Sequence, residues 1–193
     1  MAKASSARED MLEAAVELFR HRGYEGVGVA ELLTKANAPR GSLYFHFPGG
    51  KEQIGAEVVR RVGETVAGQF RALHESGVDL DTFVHRVFRT TAKECENRDF
   101  KASCPMAAIA AEFSNESPQL SAAIRDAFKL WEDEIRIAAR ARGLNEANAN
   151  IFASAMLTSI EGAFILSKAQ ASPVPHENAA RAMKALASAL TSN

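Results

Sequence analysis

Apolar residues in this chain return every three or four positions. Met11, Leu12, Ala15, Leu18 and Phe19 form one such stripe, and Ile54, Val58, Val62, Val66, Phe70 and Leu73 form another. A period near 3.6 suits an α-helix buried along one face, whereas a strand repeats every two residues. Composition agrees: 36 alanines stand against 11 valines, 8 isoleucines and 7 threonines. Alanine is the best helix former, and β-branched residues favour strands. The prolines and most Gly/Ser/Asn clusters fall between the periodic segments. The chain is therefore expected to be all-α.

Several classes are set aside by the same reading. The longest unbroken apolar run, Met106 to Ala111, is far short of the roughly 20 residues of a membrane span, so no membrane partner is expected. Glu9 and Asp10 precede any apolar stretch, which argues against a signal peptide. Two cysteines, Cys95 and Cys104, make no disulfide framework. These features point to a cytoplasmic protein. The five histidines show no metal-ligand spacing: His74-Glu75 and His176-Glu177 each lack a second histidine four residues on. Gly50-Lys51 is followed by Glu52 and is no phosphate-binding loop, and neither a Gly-x-Ser-x-Gly elbow nor a dinucleotide fingerprint is present. No catalytic residue, metal or cofactor is expected, and a helical enzyme is the remote alternative.

A net charge of −1 excludes a wholly basic nucleic-acid binder but not a local binding surface. Between Leu32 and Gly50 there is no carboxylate, while Lys35, Arg40 and His46 fall inside and Lys51 just beyond. The local pattern there is specific. A first helix is expected from Ser6, with Glu9 in capping-box spacing, to a stop at Gly23 after Arg20, His21 and Arg22. A short second helix covers about 29–36, Asn37 takes a turn position that favours positive φ, and Pro39 opens a third helix reaching His46. Two short helices joined by a tight turn and packed on a longer one make a helix-turn-helix. Pro48-Gly49-Gly50 closes the unit, and a long helix over about 51–76 bridges to the remainder. Residues 1–50, completed by the start of that long helix, are thus expected to form one domain and 51–193 a second. Further helices are expected over about 80–97, 105–114, 117–142, 145–170 and 176–191.

Residues 23–52, and above all Arg40-Gly-Ser-Leu-Tyr-Phe-His-Phe47 followed by Lys51-Glu52, resemble the DNA-binding segment of the TetR family of transcriptional regulators. The resemblance is close over about the first 55 residues and, beyond them, rests on length and helical layout. It implies double-stranded operator DNA as partner, a homodimer, and contacts from Arg40, Gly41, Ser42, Tyr44, His46 and Lys51. The chemistry of those residues suits the role. Gly41 and Ser42 let the backbone approach a major groove about 12 Å wide. Arg40 can bind guanine or phosphate, and Tyr44 can meet a thymine methyl or a phosphate. His46 and Lys51 can hold the backbone, while Leu43 and Phe47, four apart, face inward. Phe45 is open between core packing and a backbone contact and is not counted in the site. Two departures stand out: Gly26-Val27-Gly28-Val29 replaces the family's usual Thr or Ser near the second helix, and Asn37 replaces a common turn glycine.

The resemblance also implies a C-terminal bundle that dimerises and binds a small, largely apolar or aromatic effector. Phe88, Met106, Phe113, Phe128, Trp131 and Met156 could line such a pocket, with Glu112 and Glu161 as carboxylates set among apolar neighbours. Such aromatic and methionine positions are more often plain core. Cys104-Pro105-Met106 opens a helix, where a capping role is the simpler reading and a redox role the other. The segment 145–170 is apolar on more than one face, which calls for burial on both sides. Ile151, Ala155, Ser159 and Gly162, with Met183, Leu186 and Leu190 of the last helix, are the expected dimer interface. Function is then expected to be that of a ligand-released repressor on a palindromic operator, with a constitutive dimeric regulator as the alternative.

Overall fold

The computed structural model describes residues 2–112 and 117–191, with side chains from Ala7 onward. Among them every regular element is an α-helix: α1 (Ala2–Arg22), α2 (Val29–Lys35), α3 (Leu43–His46), α4 (Gly50–Glu75), α5 (Leu80–Glu96), α6 (Pro105–Glu112), α7 (Pro118–Arg140), α8 (Glu146–Gln170) and α9 (Val174–Thr191). Most bounds lie within two residues of expectation. Two do not. α1 starts at Ala2 rather than Ser6, and α3 is a single turn rather than a helix from Pro39.

The chain packs as two units, Met1–Gly63 with Cys104–Ala127, and Glu64–Ser103 with Phe128–Asn193. The first unit therefore extends past residue 50, taking in the first half of α4 together with α6 and the start of α7. Its core is built from the expected stripes: Met11, Ala15, Phe19, Leu32, Leu43, Phe47, Ile54 and Val58 are all fully buried. Each large side chain so removed from water contributes about 2 kcal/mol. Two α4 glycines permit close approach. A Cβ on Gly55 would stand 2.9 Å from the Tyr24 ring, and one on Gly63 would stand 2.8 Å from the Ala127 Cβ.

In the second unit, α5, α8 and α9 pack against one another. Asp79 caps α5 by accepting from the Thr82 N–H at 2.7 Å, which holds its carboxyl below the usual range. Asn145 caps α8 by accepting from the Asn148 N–H at 2.8 Å. α8 is long and apolar enough by length and composition to cross a membrane. Here it buries Phe152, Met156, Ile160 and Phe164 within the unit, the behaviour of a core helix. Arg142 ties the end of α7 to the α4–α5 turn: its guanidinium donates to the His74 carbonyl at 3.1 Å and the Val78 carbonyl at 2.5 Å. Arg71 pairs with the buried Glu134, Nε to Oε1 at 2.9 Å.

Candidate nucleic-acid interface

The turn between α2 and α3 is built by backbone chemistry that the sequence announces. α2 ends with Asn37 in the left-handed region at φ 49°. The Ala38 N–H donates to the Leu33 carbonyl at 2.9 Å and the Asn37 N–H to the Thr34 carbonyl at 3.1 Å. That pair of bonds is a Schellman motif, with asparagine filling the position glycine usually takes. The start of α2 carries no side-chain cap. Gly28 occupies that place with extended backbone, so the missing Thr or Ser is not replaced by another hydroxyl.

α3 is short for a local reason. Ser42 Oγ donates to the Pro39 carbonyl at 2.7 Å, and the Ser42 N–H donates to the same oxygen at 3.0 Å. These bonds fold residues 39–42 into a turn, and Gly41 adds no helical preference to oppose it. The helix then begins at Leu43, with the Phe47 N–H closing on the Leu43 carbonyl at 2.7 Å.

Leu43 and Phe47 point into the core, as their spacing requires, and fix how the helix is presented. The Arg8 guanidinium lies 4.9 Å from the Phe47 ring centroid and pairs with Glu57, securing α3 against α1 and α4. The opposite side is open. Tyr44 is 66% exposed and Phe45 77%, while Arg40 and Gly41 are exposed in the preceding turn. His46 is half-buried, its ring meeting Phe45 edge-on at 5.0 Å. Lys51 is half-buried in the first turn of α4, its ammonium 4.3 Å from the Tyr24 ring centroid. Burial first, then the charges of Glu25 and Glu52, push the Tyr24 hydroxyl up to about 12, so the ring beneath Lys51 stays neutral. Lys35 is paired with Glu17 at 3.4 Å. The arrangement is a slim, exposed turn and helix carrying Arg40, Tyr44 and Phe45, with no carboxylate between Leu32 and Gly50.

Phe45 is the surface residue that sequence reasoning left out. Its signal was present: at about 100° per residue it lies roughly 160–200° from both Leu43 and Phe47, on the side away from the core.

The residues expected to line an effector pocket are divided between the two units. Phe88, Phe128, Trp131, Met156 and Glu161 belong to the second unit, and Met106 and Glu112 to the first. Phe113 lies outside the described residues. Glu112 corrects the expectation of a carboxylate among apolar side chains. It is exposed at the end of α6, and its Oε2 accepts from the Glu25 N–H at 2.8 Å in the α1–α2 loop. The buried face of α6 is carried by Met106 and Ile109, so composition alone misplaced Glu112. In the second unit Phe128 and Trp131 meet edge-on at 5.8 Å, and Phe70 meets Trp131 at 6.4 Å. Phe88 and Met156 are buried, and the Glu161 carboxylate oxygens are out of solvent contact. Of the expected interface residues, Ile151 is 53% exposed. Ala155, Ser159, Gly162, Leu186 and Leu190 are half-buried. Met183 is 2% exposed, its side chain taken up by packing within its own chain. Cys104 and Cys95 are both buried and make no disulfide, and burial pushes the Cys95 thiol up to about 11. Among the described residues no group of His, Cys, Asp and Glu is placed to hold a metal.

Residues 11–58 match the family model described as bacterial regulatory proteins, tetR family, and residues 82–182 match that of the transcriptional regulator LmrA/YxaF-like C-terminal domain. The chain is 31% identical over 161 residues to the HTH-type transcriptional regulator LmrA of Bacillus subtilis, covering 83% of this chain and 86% of that one. The chain belongs to the TetR family of transcriptional regulators. YxaF, an HTH-type regulator of the same bacterium, is 28% identical over 86% of this chain and 87% of its own. The fold agrees: a TetR regulator from Legionella pneumophila superposes with a TM-score of 0.83 at 18% identity, covering 91% of this chain and 94% of that one. These relatives are regulators and not enzymes. The tetR-family match spans α1 to α3 and the start of α4, the elements that present Arg40, Tyr44 and Phe45.

Proposed function

We propose that the protein is a dimeric, effector-responsive repressor that binds a palindromic operator through α3 and the turn before it. The observation that carries this reading is the exposed Arg40–Gly41–Tyr44 surface held rigid by the buried Leu43 and Phe47. Arg40 reads guanine or grips phosphate, Gly41 lets the turn enter the groove, and Tyr44 adds a thymine or phosphate contact. Ser42, whose hydroxyl hydrogen is engaged by Pro39, keeps oxygen lone pairs for an accepting role. His46 and Lys51 flank the helix and hold the backbone.

Dimerisation is assigned to α8 and α9. Ile151, Thr158 and Ile165 repeat every seven residues on the outer side of α8, with Ser154 and Leu166 also exposed. Ile165 is 62% and Leu166 51% exposed, and small residues at 155, 159 and 162 let a second copy approach closely. Two copies so joined set their recognition helices about one DNA turn apart. A dimer seated on a promoter in the cytoplasm blocks transcription from it.

The aromatic cluster of Phe70, Phe128 and Trp131 supports a small apolar or aromatic effector. α4, α7 and their turns carry residues of both units, so a ligand that favours another packing of the second unit biases the placement of the recognition helices. A footprint on the DNA upstream of the protein's own gene tests the reading. The expected result is a protected segment with two-fold symmetry, its half-sites about 10 base pairs apart, lost in Arg40→Ala. No protection at any concentration overturns it.

A further inference from the structure

Phe45 is the most exposed large apolar side chain described, at 77%, and it sits in the middle of α3. An exposed phenyl ring has no hydrogen-bonding group and gains only by leaving water against another apolar surface. Its ring meets the edge of the His46 ring, 5.0 Å away at 83°, and remains 77% exposed. The segment around it points to the occupant: Arg40 is exposed in the preceding turn, the His46 ring stands beside Phe45, and the sequence carries no carboxylate from Leu32 to Gly50. A partner fitting this surface is anionic overall and carries an apolar spot within one helical turn of a cation's contact. On duplex DNA the major-groove face has one such group, the 5-methyl of thymine.

We propose that Phe45 is a specificity-determining residue that packs on a thymine methyl in the operator's major groove. Tyr44, one residue earlier and also exposed, points about 100° away and carries a hydroxyl, so the two rings divide the work. Phe45 supplies discrimination of thymine from cytosine and uracil, and Tyr44 supplies a polar contact. The proposal rests on the operator-binding reading and adds to it a particular base.

The test uses the full-length protein and its footprinted operator, with each half-site thymine replaced singly by uracil, which removes only the methyl group. Fluorescence anisotropy gives the affinity of the wild type, Phe45→Ala and Phe45→Leu for every duplex. The expected result is one position at which uracil weakens the wild type about 4-fold, the burial of one methyl group, and leaves Phe45→Ala unchanged. Phe45→Leu, still apolar, retains part of the discrimination. Since Phe45 is outside the core, the variants should keep the wild type's circular dichroism and melting profile. Uracil penalties that are the same for wild type and Phe45→Ala at every position overturn the proposal while operator binding stands. A wild type that holds no DNA overturns both.

Discussion

Gly23→Ala is a substitution whose cost has two separable parts. Gly23 ends α1 in the left-handed region at φ 72°, its N–H donating to the Phe19 carbonyl at 3.0 Å. A side chain in that conformation costs about 1–2 kcal/mol. The new Cβ would also overlap the Glu112 carboxylate, which lies against Gly23 while accepting from the Glu25 N–H. The carboxylate is the far end of a flexible side chain, so it can swing away. The second cost is then capped at the lost hydrogen bond, about 1 kcal/mol. Together Gly23→Ala should destabilise the fold by about 2–3 kcal/mol, against about 1–2 kcal/mol in a Glu112→Ala background. Urea unfolding of the four proteins, followed by circular dichroism, gives the coupling between the two positions directly. A coupling near zero would refute the reasoning, because it would mean that Glu112 does not occupy the space beside Gly23.

Other consequences follow from the second unit. His176 is fully buried, with its Nδ1 hydrogen-bonded to Ser167 Oγ at 2.8 Å and Phe164 edge-on at 5.2 Å. Desolvation lowers its pKa from 6.5 to about 4, so the unfolded chain binds the proton more tightly than the folded one. Stability is therefore full above pH 6.5 and falls as the pH drops towards 4, by about 3 kcal/mol in all. His176→Phe should flatten that part of the profile; an unchanged pH profile in the variant would assign the loss to other groups. Ile165→Glu, at a position 62% exposed, should leave the fold intact and weaken dimerisation at least tenfold by placing a charge in the apolar contact. Light scattering checks it, and a wild type that is monomeric at micromolar concentration rules out the α8–α9 interface.

What the sequence disclosed was the local chemistry. The Asn37 turn, the inward pair Leu43 and Phe47, and the ends of α4, α5 and α8 all follow from short-range patterns of apolar spacing, caps and breakers. The errors came from interactions that such patterns do not carry. Pro39 is a fitting first helical residue, yet the Ser42 hydroxyl competes for its carbonyl and turns residues 39–42 aside. Glu112 lies in an alanine-rich run, and its partner is the Glu25 N–H, 87 positions earlier in the chain. Met183 reads as interface or core equally well by periodicity, and only packing within the second unit assigns it. The exposed turn and helix of residues 40–46 were legible because they are one continuous segment. The proposed effector and dimer surfaces draw on residues distant in sequence, and no local spacing brings those together.

The central claim is that α3 and its preceding turn bind operator DNA. Its most direct test is the affinity of the purified protein for its own upstream DNA at two salt concentrations, with Tyr44→Ala alongside. If Arg40 and Lys51 of both copies neutralise about four phosphates, doubling the salt should weaken binding about tenfold. Tyr44→Ala should lose specific binding at either salt while melting as the wild type does, since Tyr44 is 66% exposed. Binding that is indifferent to salt and to Tyr44→Ala, or no DNA retained even at low salt, would contradict the account.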